Sequence, residues 1–224
     1  YRDPFGQDAF VDFDANDLLM TETRDALGNR VTVEANNYRV LQPRLVSDPN
    51  RNQTEVAFDT LGMVVGTAVM GKPQPANAEG DTLSGFVTDL TQAQLDAFFG
   101  AADPHTNAEA LLRDATTRIV YDLDRFRRTQ QANPDDPTKW QAACAATLAR
   151  ETHAKAPLPP QGLKIQISFS YSDGFGREIQ KKIQAEPGTL VEGGPMVNPR
   201  WVGSGWTIFN NKGKPVRQYE PFFP

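Results

Sequence analysis

Residues that most often carry chemistry are scarce in this sequence. Cys144 is the only cysteine, so no internal disulfide can form, and a lone thiol among alanines reads as packing rather than as a nucleophile. The two histidines, His105 and His153, lack the spacing partners of a transition-metal site. His105 falls just before a helix cap and His153 at an element end beside solvent. No apolar run approaches the ~20 residues that span a bilayer. No basic block accompanies the net charge of −5, which argues against nucleic acid or an anionic membrane as the main partner. There is no Gly-x-Ser-x-Gly elbow and no phosphate-cradling Gly-x-x-x-x-Gly-Lys-Ser/Thr loop, and Asp81-Thr-Leu-Ser84 lacks the Asp-Thr/Ser-Gly of an aspartic protease. Opening at Tyr1 with neither methionine nor a signal-peptide pattern, the chain reads as a piece of a longer polypeptide.

What is present is alternation and punctuation. With 224 residues, 39% hydrophobic and 23% charged, the chain is globular and long enough for a real core. Ile165, Ile167, Phe169 and Tyr171 alternate with Gln166, Ser168, Ser170 and Ser172, a half-buried strand. Asp173-Gly-Phe-Gly176 breaks the run, and Arg177–Gln184 resumes it with Ile179 and Ile183 on one face, which makes a hairpin. The same Asp-x-x-Gly turn recurs at Asp3–Gly6, Asp25–Gly28 and Asp59–Gly62, with degenerate copies at Phe13–Asp17, Asp48–Asn52 and Asn210–Gly213. Asp3, Asp25 and Asp48 are spaced by 22 and 23 residues, and a period near twenty marks a repeat architecture.

Between the turns lie strands: Arg30–Ala35, Arg39–Val46 with Pro43 at an edge or bulge, Gln53–Phe58, and Met63–Met70, which is apolar on both faces and so covered or central. Residues 71–90 read as loop. Thr91-Gln-Ala-Gln94 and Thr106-Asn-Ala-Glu109 are capping boxes that start two short helices, the second after Asp103-Pro104. Thr117–Phe126 alternates as a strand, although Ile119, Val120, Leu123 and Phe126 also fit a helical stripe; strand is preferred for its β-branched and aromatic content. Residues 127–138 read as loop, 139–146 as locally helical, and 147–153 as either continuation or strand. Pro157, Pro159 and Pro160 stiffen the link to the hairpin. Glu186–Pro199 is loop, and Arg200–Phe209 is a strand turned back by Asn210–Gly213 into Lys214–Glu220.

Candidate chemistry is weak on every count. Asp12-x-Asp14-x-Asn16 opens like a calcium loop, but Asp17 stands where that loop needs glycine and Thr23 where it needs a bidentate glutamate. Carboxylates are plentiful, yet no glycosidase-like pair stands out; they read as turn formers and solvated strand faces. Gly203-Ser-Gly205 reads as close packing beside Trp201 and Trp206. Trp201, Trp206, Phe209, Tyr219, Phe222 and Phe223 could form a glycan or peptide platform, but an alternating strand with its aromatics in a core is the commoner arrangement.

Taken together, the aromatic–Asp turns between long hairpins resemble the Rhs or YD-repeat family, and more closely the YD-repeat part of the B component of bacterial insecticidal toxin complexes (Tc toxins). The likeness is carried by FDANDLLMTETRDALGNRVTVE, YRVLQPRLVSDPN, EVAFDTLGMVVGTAVMGK, ATTRIVYDLDRF, ATLARETH, SFSYSDGFGREIQKKIQAEPG and RWVGSGWTIFNNKGKPVRQYEPFF. It implies a mainly β fold of long antiparallel hairpins, with short helices inserted around 91–115, and it tips 117–126 and 147–153 toward strand. Residues 1–71 and 161–224 would be hairpin repeats, and 72–160 an insertion of loop and short helices with one or two strands; 127–146 match no motif. It further implies a secreted virulence protein in which the B component, with the Rhs-like part of a C component, forms a shell that holds a cytotoxic domain unfolded and docks on a pore-forming A component. This stretch would be shell wall, not an enzyme, with no cofactor or metal. The turn residues Asp3, Gly6, Asp25, Gly28, Asp59, Gly62, Asp173, Gly176, Asn210 and Gly213 would be purely structural. The alternatives are a free-standing module that binds glycans or peptides through its C-terminal aromatics, and a hydrolase with an unrecognised carboxylate pair.

Overall fold

A computed structural model describes residues 1–73 and 79–223; part of the expected 71–90 loop, residues 74–78, lies outside it. Strands β1 (Phe10–Phe13), β2 (Met20–Arg24), β3 (Arg30–Asn37), β4 (Gln42–Ser47), β5 (Gln53–Phe58) and β6 (Val64–Gly71) form an antiparallel meander in which each pairs with the next. Helices α1 (Gln92–Phe99) and α2 (His105–Leu112) lead to β7 (Thr117–Asp122), and α3 (Arg125–Ala132) leads to β8 (Ala143–Arg150). The long hairpin β9 (Ile165–Ser172) and β10 (Glu178–Ala185) follows, then β11 (Gly188–Thr189), β12 (Met196–Val197), β13 (Arg200–Gly203), β14 (Thr207–Phe209) and β15 (Pro215–Gln218). Eleven strands make one sheet, ordered β1 to β10 and then β13, while β11–β12 and β14–β15 are separate ribbons. The fold is mainly β, at 39% strand and 12% helix, as the sequence predicts.

The chain divides into two compact units. One comprises Tyr1–Leu90, Ala110–Arg118 and Arg150–Lys164; the other Thr91–Glu109, Ile119–Ala149 and Ile165–Pro224. In the first, β6 is the strand with buried residues on both faces (Val65, Gly66, Ala68), consistent with its central place between β5 and β7. Pro43 sits opposite Asn36 where the β3–β4 register slips, so the missing N–H falls at an irregularity. In the second unit Ile165 and Ile167 are buried as their alternation requires. A bulge at Ile179 shifts the phase of β10, which sets Gln180 opposite Tyr171 and leaves Ile183, opposite Ser168, 47% exposed. Phe98 of α1 packs against Phe169 with ring centroids 6.3 Å apart, and Phe169 meets Trp201 at 5.3 Å.

Several local expectations fail. Residues 127–138, expected as loop, contain α3; its polar sequence hides a helix that is held from outside, by two hydrogen bonds from Arg128 to Asp122 (2.9 and 3.0 Å) and by Phe126 edge-on to Trp140. Strand β7 therefore ends at Asp122 rather than running to Phe126. Residues 139–146, expected as helical, enter β8, where Cys144, Ala146 and Leu148 alternate inward; sheet pairing overrides alanine's helix propensity. That strand stops at Arg150, short of His153. Helix α1 has the capping box the sequence predicts, but α2 does not: it starts at His105, whose N–H donates to the Asp103 carboxylate (3.0 Å), so the Asp103-Pro104 pair starts the helix and Thr106 lies inside it. Residues 200–209 are two strands, broken at Ser204-Gly205; Gly205 sits at φ +76°, where a Cβ would lie 2.0 Å from the Tyr219 carbonyl.

Candidate functional site

The recurrent turns share one geometry, apart from that at Asp173, where Gly174 also takes a positive φ (+84°). At Asp25 the backbone carbonyl accepts from Gly28 N–H (3.1 Å), the side chain accepts from Leu27 and Asn29 N–H (2.9 Å each), and Gly28 takes φ +86°. This is a type I turn closed by a left-handed residue, which returns the chain as a hairpin. Asp3 repeats it with Phe5, Gln7 and Gly6, Asp59 with Met63 and Gly62, and Asn210 with Lys212, Lys214 and Gly213. At Asp48 the left-handed position belongs to Arg51 (φ +68°), and at Asp14 to Asp17 (φ +52°). Asp173 accepts from Phe175 N–H (2.9 Å) and from Arg177 Nε (2.6 Å), beside Gly176 at φ +76°. Side-chain donors hold three of these carboxyls below the usual carboxylate range: Tyr38 at Asp14, Asn29 at Asp25 and Asn52 at Asp48. Every lone pair used inside the turn is withdrawn from any ligand, and among the described residues no group of three His, Cys, Asp or Glu side chains could hold a metal ion.

Asp81 is the buried acid that sequence reasoning missed. Its side chain is wholly buried and accepts from Ala154 N–H (2.6 Å) and the Thr116 hydroxyl (2.5 Å), with Arg150 at 3.5 Å and His153 Nδ1 at 2.9 Å. It thus ties the loop after β6 to the start of β7 and to the segment after β8, all within the first unit. His153 is half exposed, as expected, but its ring is oriented by this carboxylate. Among the described residues no Ser, Thr or Cys is hydrogen-bonded to that ring. No sequence signal marks Asp81, which lies in a Gly/Pro-rich loop.

Arg118, also of the first unit, is 1% exposed and faces carbonyls rather than a carboxylate: Leu111 at 3.0 Å and Val87 at 2.7 Å, with its guanidinium 4.4 Å from the Phe86 ring centre. Burial pushes it down to about 10, so it stays charged at neutral pH. In the second unit burial pushes the Cys144 thiol up to about 12, which leaves an inert packing residue as the sequence suggests. There too a mostly apolar cleft of about 590 Å³ is lined by Leu123, Phe126, Pro137, Trp140, Ile179 and Trp206. Of the two tryptophans weighed as a platform, Trp206 lines this cleft while Trp201 packs on Phe169.

No family model matches the sequence, and no curated protein matches it. Solved structures do. The crystal structure of TcdB2-TccC3 without its hypervariable C-terminal region matches 97% of this chain at a TM-score of 0.70 and 20% identity. The chain is similar in fold to a stretch of TcdB2-TccC3. A second TcdB2-TccC3 crystal structure gives 0.67 at 23% identity, and TcdB2-TccC3-Cdc42 gives 0.65 at 20%, each again over 97% of this chain. The chain spans only 10–12% of the length of these Tc toxin B–C structures.

Proposed function

We propose that this chain is a non-catalytic stretch of wall in a Tc-type toxin shell, formed by a B component with the Rhs-like part of a C component around a cytotoxic domain. The observation that carries the proposal is the match of 97% of the chain to a TcdB2-TccC3 stretch at a TM-score of 0.70. The turn carboxylates support it, since each is consumed by its own backbone. So does the sheet: hairpins of this length bury little alone and gain stability by lateral repetition. In this reading the assembled protein is secreted, and parts outside this stretch meet the pore-forming A component. Electron microscopy of the full-length chain co-expressed with its C partner tests it. A closed particle is expected; an open or extended particle overturns the shell role.

The aromatic cleft favours a second reading, a module that takes a glycan or peptide at Phe126, Trp140 and Trp206. Binding on a glycan or peptide array that disappears in Trp206→Ala would favour it over the shell wall.

A further inference from the structure

Four of the recurrent turns place a large apolar residue at the same position, directly before the left-handed glycine. Phe5 is 89% exposed, Leu27 87%, Leu61 73% and Phe175 85%. Turn chemistry does not require this. Asn16, Asn50 and Lys212 occupy the same position in turns of closely similar geometry, and what the turn uses of the residue there is its backbone N–H, which any residue but proline supplies, not its side chain. Single exposed apolar side chains are ordinary on protein surfaces. Recurrence at one turn position, at the tip of a hairpin and nearly clear of the rest of the molecule, is different. The Phe175 ring meets one cation, the Arg177 guanidinium of its own turn, 5.4 Å from its centre. Within the first unit the meander sends Phe5 and Leu27 to one end of the strands and Leu61 to the other, so both ends present apolar tips.

We propose that these tips are docking knobs, and that each is buried by another stretch of the same, longer polypeptide. This rests on the shell-wall reading. The occupant follows from size: the structures that share this fold are about eight to ten times as long as the matched stretch, so in a chain of that kind most of the polypeptide lies outside it and is at hand to cover the tips. An apolar knob contributes its full burial there, whereas the polar tips mark places where the end faces solvent.

The test uses the full-length chain. Hydroxyl-radical footprinting read by mass spectrometry compares Phe5, Leu27, Leu61 and Phe175 in the native and urea-unfolded protein. Native labelling should fall about tenfold, the ratio between a tip nine-tenths exposed and a buried side chain. Leu27→Asn and Phe175→Asn keep a side chain the turn accepts, so they should fold, and should lower the Tm by about 2 °C or more, while Lys212→Asn should not. Tips labelled at close to the unfolded rate, or Asn variants with the Tm of Lys212→Asn, overturn the proposal. Micrographs of the same samples separate the two ideas. A closed shell with freely labelled tips sinks the knobs alone; protected tips in a particle that is no shell sink the wall reading and leave the knobs standing.

Discussion

Strands β1–β4 and strands β7–β9 belong to the same sheet but are held in place by different means. In β1 every residue is exposed, and β2 has no buried residue; order there comes from the Asp14, Asp25 and Asp48 turns, whose side chains fix the reversal and hence the register. Strand β7 instead alternates buried and half-buried residues, and its unit is packed by Phe98, Leu148 and Ile167 and bolted by Arg128 to Asp122. A ribbon specified by its turns tolerates side-chain change along its strands and fails at its tips. A core-packed stretch does the reverse.

The largest expected effect lies in the packed stretch. Phe98→Ala, at a residue 1% exposed, should cost about 3–5 kcal/mol in urea unfolding; a loss under about 1 kcal/mol would erase the contrast. Among the turns, Gly28→Ala must hold φ +86° with no steric clash, and should cost about 1–2 kcal/mol. Gly62→Ala should cost more, because its new Cβ also lies 2.9 Å from Val40. Arg51→Gly, at φ +68° in the equivalent place, should stabilise by up to about 1 kcal/mol, an opposite sign that only turn conformation explains.

A smaller effect is acid sensitivity. The carboxyls of Asp14, Asp25 and Asp48 sit below their ordinary range when folded, through Tyr38, Asn29 and Asn52 in turn. Their contribution is therefore complete above the unfolded carboxylate pKa of about 3.9 and is lost as pH falls through the depressed folded values. Asp25→Asn should flatten that part of the stability–pH curve by lowering stability at neutral pH toward its acid value, with little change below the depressed range. Least of all, Val11→Thr in β1 should stay within about 0.5 kcal/mol of the parent.

This division also explains what the sequence made legible. The meander, the hairpin at 165–185 and helix α1 are each written locally, in two-residue alternation, Asp-x-x-Gly and a capping box. Helix α3 is not, because Arg128 finds its partner on β7; nor is β8, whose Ala143–Ala146 start reads as helix until neighbouring strands claim it. The α2 start was legible in Asp103-Pro104 but was outweighed by Thr106-Glu109. Asp81 could not be read at all, since its donors Thr116, Arg150, His153 and Ala154 lie 35 to 73 positions away. The apolar tips were in plain view as Phe5, Leu27, Leu61 and Phe175, but only the structure shows how little covers them.

The most direct measurement is a cryo-electron-microscopy map of the full-length chain with its C partner. The account predicts that Phe10–Gly203 traces as one continuous eleven-stranded wall of a closed particle. A map in which these residues form a separate lobe outside any enclosed volume would contradict it.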